Sequence, residues 1–399
     1  MWRWLATYAL CACQATLAIP TIEIKGSKFF TSDGDQFYIK GKYSSRLNGY
    51  QLTRFQCNID APLIKDLGAN VVRVYSVDPT LNHDACMKAF EDAGIYVIVD
   101  MSTPTYSIKR NDPQWSFELR DAFADVIDVD STTAAPYAKA VVADMKAYRD
   151  LMQYRKIPIG YSAADLANLY ELQQDYFACG NDSVAADFFA FNKYSWCSPS
   201  SFTESGYDAI YKAVDGYDIP VFLSETGCTT NDRKWEDQVA VLGREMNDRF
   251  SGNIIYEWSE NENGYGIANY SNGVATGTPK LMADYTRLQS QWATLSPTGV
   301  KASAYNPSLT KRACPASTSG VWNVRADDAL PTLGTSGWTA PTTPRQTGSG
   351  SAAAAAASVT AVAKESTPPG PSTESSGVSS GAIAGGVVGV GGSRVMAGV

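Results

Sequence analysis

Residues 70–100 read NVVRVYSVDPTLNHDACMKAFEDAGIYVIVD and contain one complete strand–helix–strand unit. Asn70 to Tyr75 and Ile95 to Asp100 are short apolar runs rich in β-branched side chains, which favour strands. Between them, Asp84 to Ala93 has the periodicity and the acidic first residue of a helix. Because a connecting helix lets two strands lie parallel in one sheet, this stretch predicts a parallel sheet covered by helices.

Similar units recur between residues 22 and 295. Such alternation is typical of a (β/α)8 barrel of the TIM type, whose strand ends face one mouth. A doubly wound sheet is the alternative, but it needs a Gly-rich phosphate loop after the first strand, and this sequence has none. The other predicted strands are 37–39, 157–161, 187–192, 221–225 and 253–257, and the other predicted helices are 61–67, 134–154 and 235–250.

The pattern contains seven strands rather than eight. The gap falls between Asp100 and Ile157, where residues 121–133 contain no strand-like run. We therefore predict a barrel that lacks one strand. The strand ends that carry polar or ionisable side chains are Tyr75, Asp100, Asn192, Glu225 and Glu257.

The two ends of the chain differ in composition from its middle. Residues 1–18 have the positive start and short apolar run of a signal peptide. Residues 316–381 are rich in Ser, Thr, Pro, Ala and Gly, which predicts a disordered, O-glycosylated stalk. Residues 382–399 are apolar and Gly-rich and resemble a GPI-anchor signal, with a free C-terminus as the alternative. The barrel domain is then residues 19–315.

The composition of the chain argues against some partners and some kinds of catalytic site. A net charge of -8 and a pI near 4.9 argue against nucleic acid as a partner. The single histidine, His83, excludes a multi-histidine metal site and leaves acid–base work to carboxylates. Six cysteines remain after residue 18, which predicts three disulfides of a secreted protein among fifteen pairings. Asn181 and Asn269 begin glycosylation sequons. We expect no metal and no cofactor.

Eight short blocks carry a more specific signal. They are RVYSVDP (73–79), LNHD (81–84), DAGIYV (92–97), STP (102–104), NDP (111–113), DMKAY (144–148), RKIPIGYS (155–162) and SETGC (224–228). Together they resemble the β-1,3-glucanosyltransferases of fungal cell walls, glycoside hydrolase family 72, over about residues 20–315. The resemblance implies a monomeric, cofactor-free enzyme that splits β-1,3-glucan and transfers the new end to a second glucan chain. Its partners would be donor and acceptor glucan and, through a GPI anchor, the plasma membrane.

The resemblance assigns the nucleophile to Glu225. The residues agree, because a carboxylate at the end of the apolar run 221–223 is costly unless it functions. Tyr170 stands where the family has an arginine, and Ser44 where it has a glutamine. For the aromatic residues, core packing is the rival interpretation. The implied substrate contacts are Tyr75, Asp100, Ser102, Thr103, Tyr106, Arg110, Asp165, Tyr194 and Tyr256.

The family's second catalytic glutamate follows an asparagine at the end of the fourth strand, and that block is absent here. A family-like helix at 117–127 ends near Asp128, and the pattern resumes at Asp130, so roughly twenty residues are missing. A skipped exon or faulty gene model would leave the real enzyme active. Alternatively, the chain as written is an inactive glucan-binding protein; a plain endo-β-1,3-glucanase is a third hypothesis. Asp128, Asp130 and Glu257 are poor substitutes, because two lie in a connecting loop and one on a different strand.

The resemblance also implies how the cysteines pair. The implied disulfides are Cys57–Cys86, Cys179–Cys314 and Cys197–Cys228, which use all six cysteines beyond the signal peptide. Because no cysteine follows Cys314, the chain resembles the form without a cysteine-rich carbohydrate-binding module.

Overall fold

The structure is a computed structural model, and it describes most of the chain between residues 19 and 342. The described residues are 19–44, 54–75, 77, 81–101, 108, 113–117, 134–166, 169–271, 275–342 and 394–398. A hairpin of β1 (Ile22–Lys25) and β2 (Lys28–Thr31) precedes the main sheet. Phe29 of this hairpin packs against Phe188 and Phe222 at ring distances of 6.0 and 6.2 Å. This apolar contact covers the N-terminal end of the barrel, so the polar chemistry is left to the other end.

Seven parallel strands form the main sheet, as the sequence predicts. Because each contributes a short apolar run, most of their side chains are buried. The strands are β3 (Ile39–Ser44), β4 (Val71–Val74), β5 (Tyr96–Asp100), β6 (Ile159–Ala163), β7 (Phe189–Asn192), β8 (Val221–Thr226) and β9 (Phe250–Ile255). Their spatial order is β5-β4-β3-β9-β8-β7-β6, every neighbouring pair being parallel. The predicted TIM-type architecture with one strand fewer is confirmed.

Helices connect and cover the strands. Several carry a buried apolar stripe that faces the sheet, as in α2, where Cys86 and Phe90 are buried. The helices are α1 (Arg54–Leu67), α2 (Asp84–Ala93), α3 (Ala135–Leu151), α4 (Tyr170–Ala178), α5 (Tyr207–Ala213), α6 (Glu236–Leu242) and α7 (Ala283–Ala293). A small ladder of β10 (Ala268–Asn269) and β11 (Lys280–Leu281) lies beside them.

Some predicted boundaries differ from the structure. Helix α2 has its predicted bounds, but the predicted helix 235–250 ends at Leu242 as α6. Phe250 instead begins β9, because its buried run up to Ile255 pairs with both β3 and β8. Glu257, expected at the end of that strand, therefore lies in the loop beyond it.

A twelfth strand, β12 (Arg394–Gly398), lies between the two edges of the seven-stranded sheet. It pairs antiparallel with both β5 and β6 and separates them. The missing parallel strand therefore belongs between Asp100 and Ile159, where the sequence has its gap. These five residues lie within the segment 382–399 that is expected to be an anchor signal, and that expectation stays a prediction.

The first part of the expected stalk packs on the barrel domain. Trp322 is fully buried against Tyr176, with ring centroids 5.3 Å apart. Asp144 of α3 accepts hydrogen bonds from the backbone N–H groups of Leu333 (2.7 Å) and Gly334 (2.9 Å). Residues 316–342 thus belong to the folded domain. The segment is mostly polar, and composition does not reveal that a few of its aromatic side chains, such as Trp322, are buried. The predicted end of the barrel domain at residue 315 is therefore too early.

All three implied disulfides are confirmed. Cys57–Cys86 joins α1 to α2, and Cys197–Cys228 joins the loops that follow β7 and β8. Cys179–Cys314 joins the end of α4 to the start of the segment at 316–342. Cross-links of this kind stabilise a fold mainly by restricting the unfolded chain.

Candidate active site

Glu225 lies near the C-terminal end of β8, and only 2% of its surface is exposed. Tyr194 donates a hydrogen bond of 2.9 Å to its Oε2, and Tyr75 donates one to its Oε1. Arg73 Nη1 lies 3.3 Å from the same Oε1. Arg73 is in β4, Tyr75 directly follows that strand, and Tyr194 is in the loop after β7. The three donors therefore fix the carboxylate from two sides.

Arg73 is the fully buried cation beneath this carboxylate. Its Nε and Nη2 bind the two carboxylate oxygens of Asp100 at 2.9 Å each, and Nη1 also donates to the Ser224 carbonyl at 3.0 Å. A bidentate pair of this kind satisfies two charges that would otherwise be costly inside a protein. Asp100 itself is fully buried, so in this structure it orients Arg73. Its predicted contact with substrate stays a prediction.

Tyr75 and Tyr194 contact Glu225, and three further tyrosines pack against these two. Tyr43 stacks on Tyr256 with ring centroids 4.7 Å apart and meets the edge of Tyr75 at 3.8 Å. Tyr265 stands edge-on to Tyr256 at 5.3 Å and to Tyr194 at 5.7 Å. Tyr43 has no exposed surface, whereas the other four rings are partly exposed. Partly exposed tyrosine faces suit the apolar faces of pyranose rings, and their hydroxyls can meet sugar hydroxyls.

Asp165 and Tyr194 come from neighbouring loops of the same mouth. Asp165 forms an ion pair with Lys193 at 3.0 and 3.1 Å. Tyr170, which replaces an arginine of the family pattern, stacks on Phe191 at 6.1 Å. Lys193 therefore supplies the cation beside Asp165.

Burial shifts the pKa values of two ionisable side chains near the tyrosines, Glu257 and Lys42. The pKa of Glu257 is raised to about 7, chiefly by burial, against the opposing effect of its hydrogen bonds from Asn263 and Asn261. The Glu225 carboxylate contributes to the rise. Burial also lowers the pKa of Lys42 to about 7, although Asp60 and Glu257 counteract that shift. Burial and the nearby Glu225 raise the pKa of Tyr194 well above its ordinary value, so its hydroxyl remains a donor at neutral pH.

The structure brings together part of the predicted site. Glu225, Tyr75, Tyr194, Tyr256 and Asp100 are joined by the contacts above, and Asp165 lies one ion pair away from the residue before Tyr194. Asn181 and Asn269 are both exposed, as glycosylation requires. The predicted residues that lie outside the described part are Ser102, Thr103, Tyr106, Arg110, Asp128 and Asp130.

Three residues of the site were missed from sequence. Arg73 had a signal, because a charged residue amid the valines of β4 must be paired when that strand is buried. Lys193 follows Asn192 at the end of β7, yet the surrounding sequence does not indicate that Asp165 is its partner. Tyr265 lies in the loop after β9, and a loop conformation cannot be derived from periodicity.

The site provides Glu225 as an oriented carboxylate, but Arg73 binds both oxygens of the nearby buried carboxylate, Asp100. A retaining glycosidase needs a nucleophile and a second carboxyl about 5–5.5 Å away that can exchange a proton. Asp100 cannot readily do this, because Arg73 engages both of its oxygens. Within the described ranges, no group of three or more His, Cys, Asp or Glu side chains could hold a metal ion.

Known proteins match this chain over most of its length. The family model for glucanosyltransferases, glycoside hydrolase family 72, matches residues 11–296. The 1,3-beta-glucanosyltransferase gel1 of Aspergillus fumigatus is 40% identical over 343 residues, covering 79% of this chain and 74% of the relative. The 1,3-beta-glucanosyltransferase GAS5 of Saccharomyces cerevisiae is 38% identical over 360 residues, covering 82% of this chain and 73% of the relative.

A solved structure agrees with the sequence matches. A mutant of Gas2p from Saccharomyces cerevisiae, in complex with laminaritetraose and laminaripentaose, superposes with a TM-score of 0.71. It is 33% identical, and the match covers 79% of this chain and 75% of that one. The resemblance drawn from the eight sequence blocks is thereby confirmed: the chain belongs to the glucanosyltransferase family, glycoside hydrolase family 72.

Proposed function

We propose that this chain is a 1,3-β-glucanosyltransferase of the fungal cell wall whose nucleophile is Glu225. The observation that carries the proposal is the set of three donors on this carboxylate, from Arg73, Tyr75 and Tyr194, beneath a ring of tyrosines. A carboxylate fixed in this way is prepared to bond one atom of a bound sugar. Oligosaccharides of β-1,3-glucan in the related Gas2p structure support glucan as the substrate class.

The reaction is a double displacement. A Glu225 oxygen attacks the anomeric carbon of the donor, the bond to the departing glucan oxygen breaks, and that oxygen takes up a proton. The 3-hydroxyl oxygen of an acceptor glucan then attacks the same carbon, loses its proton and releases Glu225 as a carboxylate. Transfer exceeds hydrolysis because bound acceptor is present at a high effective concentration. In the family the second glutamate exchanges this proton; because the sequence lacks that residue, water supplies the proton to the departing oxygen and accepts the one that the acceptor hydroxyl loses.

Product analysis tests this proposal. The full chain is incubated with a single laminari-oligosaccharide, and the products are measured by mass spectrometry. We expect oligosaccharides both longer and shorter than the donor, and none from Glu225→Gln. Glu245→Gln, which alters an exposed glutamate outside the site, should match the unaltered chain. Products that are always shorter would indicate an endo-β-1,3-glucanase.

A non-catalytic glucan-binding protein is the second candidate. It is favoured by the tight engagement of Asp100 and by the missing Asn-Glu block of the fourth strand. Binding of laminaripentaose without any product, measured by calorimetry together with product analysis, would establish this alternative.

We also propose that the protein is a secreted glycoprotein. Three disulfides and the exposed sequons at Asn181 and Asn269 support this compartment. Among the helices that the structure describes, none has the length and apolar character needed to cross a bilayer. We propose a GPI anchor added near residue 381 as the membrane attachment. Release from membranes by a phosphatidylinositol-specific phospholipase would support it, and residues 394–398 in the mature protein would contradict it.

A further inference from the structure

We propose that Glu257 is a positioning residue of this site, which fixes the loop of residues 259–266 and, through that loop, the tyrosines that orient Glu225. The inference rests on the proposed function of Glu225. Glu257 is fully buried, and it lies where β9 has ended and the chain turns back across the mouth.

The loop is held to Glu257 by its own asparagines. Asn263 Nδ2 donates to Glu257 Oε1 at 2.7 Å, and Asn261 Nδ2 donates to the same oxygen at 2.9 Å. The loop then closes on itself, since Asn263 N–H donates to Asn261 Oδ1 and Tyr265 N–H donates to Asn263 Oδ1, each at 3.0 Å. The Glu257 N–H completes the turn by donating to the Tyr265 carbonyl at 3.0 Å.

A chain of contacts leads from this loop to the nucleophile. Tyr265 packs edge-on against Tyr194 at 5.7 Å, and Tyr194 donates the 2.9 Å hydrogen bond to Glu225. Asn263 Nδ2 also lies 3.3 Å from the Tyr256 hydroxyl. If Glu257 releases the asparagines, both tyrosines lose a neighbour that fixes them, and the Oε2 side of Glu225 loses the orientation that Tyr194 gives it.

The groups around Glu257 indicate that it acts as an acceptor rather than as a charge. Lys42 of β3 and Glu225 of β8 interact electrostatically with Glu257 and carry opposite charges, and the Tyr256 hydroxyl hydrogen-bonds to it. With a pKa raised to about 7, the carboxyl is half protonated near neutral pH. Both forms keep an oxygen that accepts the asparagine N–H groups, and the amide of glutamine keeps one as well.

Two substitutions of Glu257 test whether its role is to accept hydrogen bonds. Glu257→Gln preserves the acceptor, whereas Glu257→Met has a similar size and removes it. Glu245→Met is the matched control, because Glu245 is an exposed glutamate that precedes β9 and lies outside this loop. The donor substrate is 2,4-dinitrophenyl β-laminaribioside, whose leaving group departs without a proton and therefore does not require the second glutamate.

The rate of dinitrophenolate release from the full chain reports attack by Glu225. We expect Glu257→Gln and Glu245→Met to stay near the unaltered rate. Glu257→Met should lose at least about tenfold in kcat, with little change in KM, at a temperature where circular dichroism shows it folded, because small misplacements of reacting groups are expensive. Normal kcat for Glu257→Met overturns the proposal. Loss of β-1,3-glucan transfer by Glu257→Gln, with dinitrophenolate release intact, also overturns it, because Glu257 would then be the proton donor.

Hydrogen exchange provides a readout that does not depend on activity. We expect backbone amides of residues 259–266 to exchange faster in Glu257→Met than in Glu257→Gln or Glu245→Met. Unchanged exchange overturns the positioning role even if the chain proves inactive. An inactive chain with the expected exchange pattern would instead contradict the proposed function of Glu225 and leave the role of Glu257 supported.

Discussion

At the scale of the residue, the site depends on charges that are buried in pairs. Arg73 and Asp100 have no exposed surface, and together with Glu225 they form one continuous set of ion pairs. Removing a single member of such a set leaves an uncompensated charge in the interior, which costs more than the intact pair contributes. The sequence indicated Asp100 and Glu225 as strand-end carboxylates, but the cation that joins them became evident only from the fold.

Arg73→Met should therefore destabilise the protein by about 3–5 kcal/mol, because Asp100 is left buried and unpaired. The double variant Arg73→Met/Asp100→Leu removes both charges and should recover much of that loss. It should not recover attack by Glu225, which has lost a donor. Chemical denaturation at neutral pH measures the difference, and a double variant no more stable than Arg73→Met would contradict this account.

Glu257 makes stability depend on pH in the opposite direction to an ordinary salt-bridged carboxylate. Its folded pKa of about 7 lies above the unfolded value of about 4.3, so the folded state disfavours ionisation. The cost begins as pH rises through about 4 and is complete above about 7. Glu257→Gln removes it and should be more stable than the unaltered chain by about 1–3 kcal/mol at pH 8, with no gain at pH 4. An equal gain at both pH values would rule out this origin.

At the scale of the element, helix α3 joins the barrel to the segment that follows it. Asp144 accepts hydrogen bonds from Trp115 Nε1 at 2.8 Å and from the Leu333 and Gly334 backbone. The helix itself was predictable from its 3.6-residue periodicity, and the parallel strands from their short apolar runs. The return of residues 316–342 was not, because it depends on a few side chains, such as Trp322, within a composition typical of a stalk.

Asp144→Ala should remove the acceptor that these three donors share and destabilise the protein by about 3 kcal/mol. Asp150→Ala, on the exposed face of the same helix, should cost less than about 1 kcal/mol. The free energy of unfolding is the measurement, together with limited proteolysis, which should cut Asp144→Ala within residues 316–342. Equal stability of the two variants would show that this segment adds nothing to the fold.

At the scale of the whole molecule, the barrel has seven parallel strands, and β12 lies where an eighth would fit. The position of the gap was predictable, since it falls between the strands that end at Asp100 and begin near Ile157. What fills the gap was not, because residues 394–398 are distant in sequence and their pairing is a tertiary event. The absent strand would carry the glutamate that exchanges protons with the glucan.

We predict that the transcript contains about twenty further codons between those for Asp128 and Asp130, including an Asn-Glu pair, enough for one strand and its loop. The protein that includes them should place a parallel strand between β5 and β6 and should transfer glucan faster than the 399-residue chain. Sequencing the transcript across this point is the check. Contiguous codons for residues 128–130 would contradict the prediction and favour the glucan-binding alternative.

The central claim is that Glu225 forms a covalent bond to the sugar. A 2-deoxy-2-fluoro β-laminaribioside with a dinitrophenolate leaving group needs no proton donor for attack, and the fluorine slows release, so the glycosyl-enzyme accumulates. Intact mass spectrometry and peptide mapping of the labelled full chain measure it directly. We predict one sugar per chain, on the peptide that contains Glu225, and none on Glu225→Gln. A label on another residue, or no label on a folded chain that binds the compound, would contradict the account.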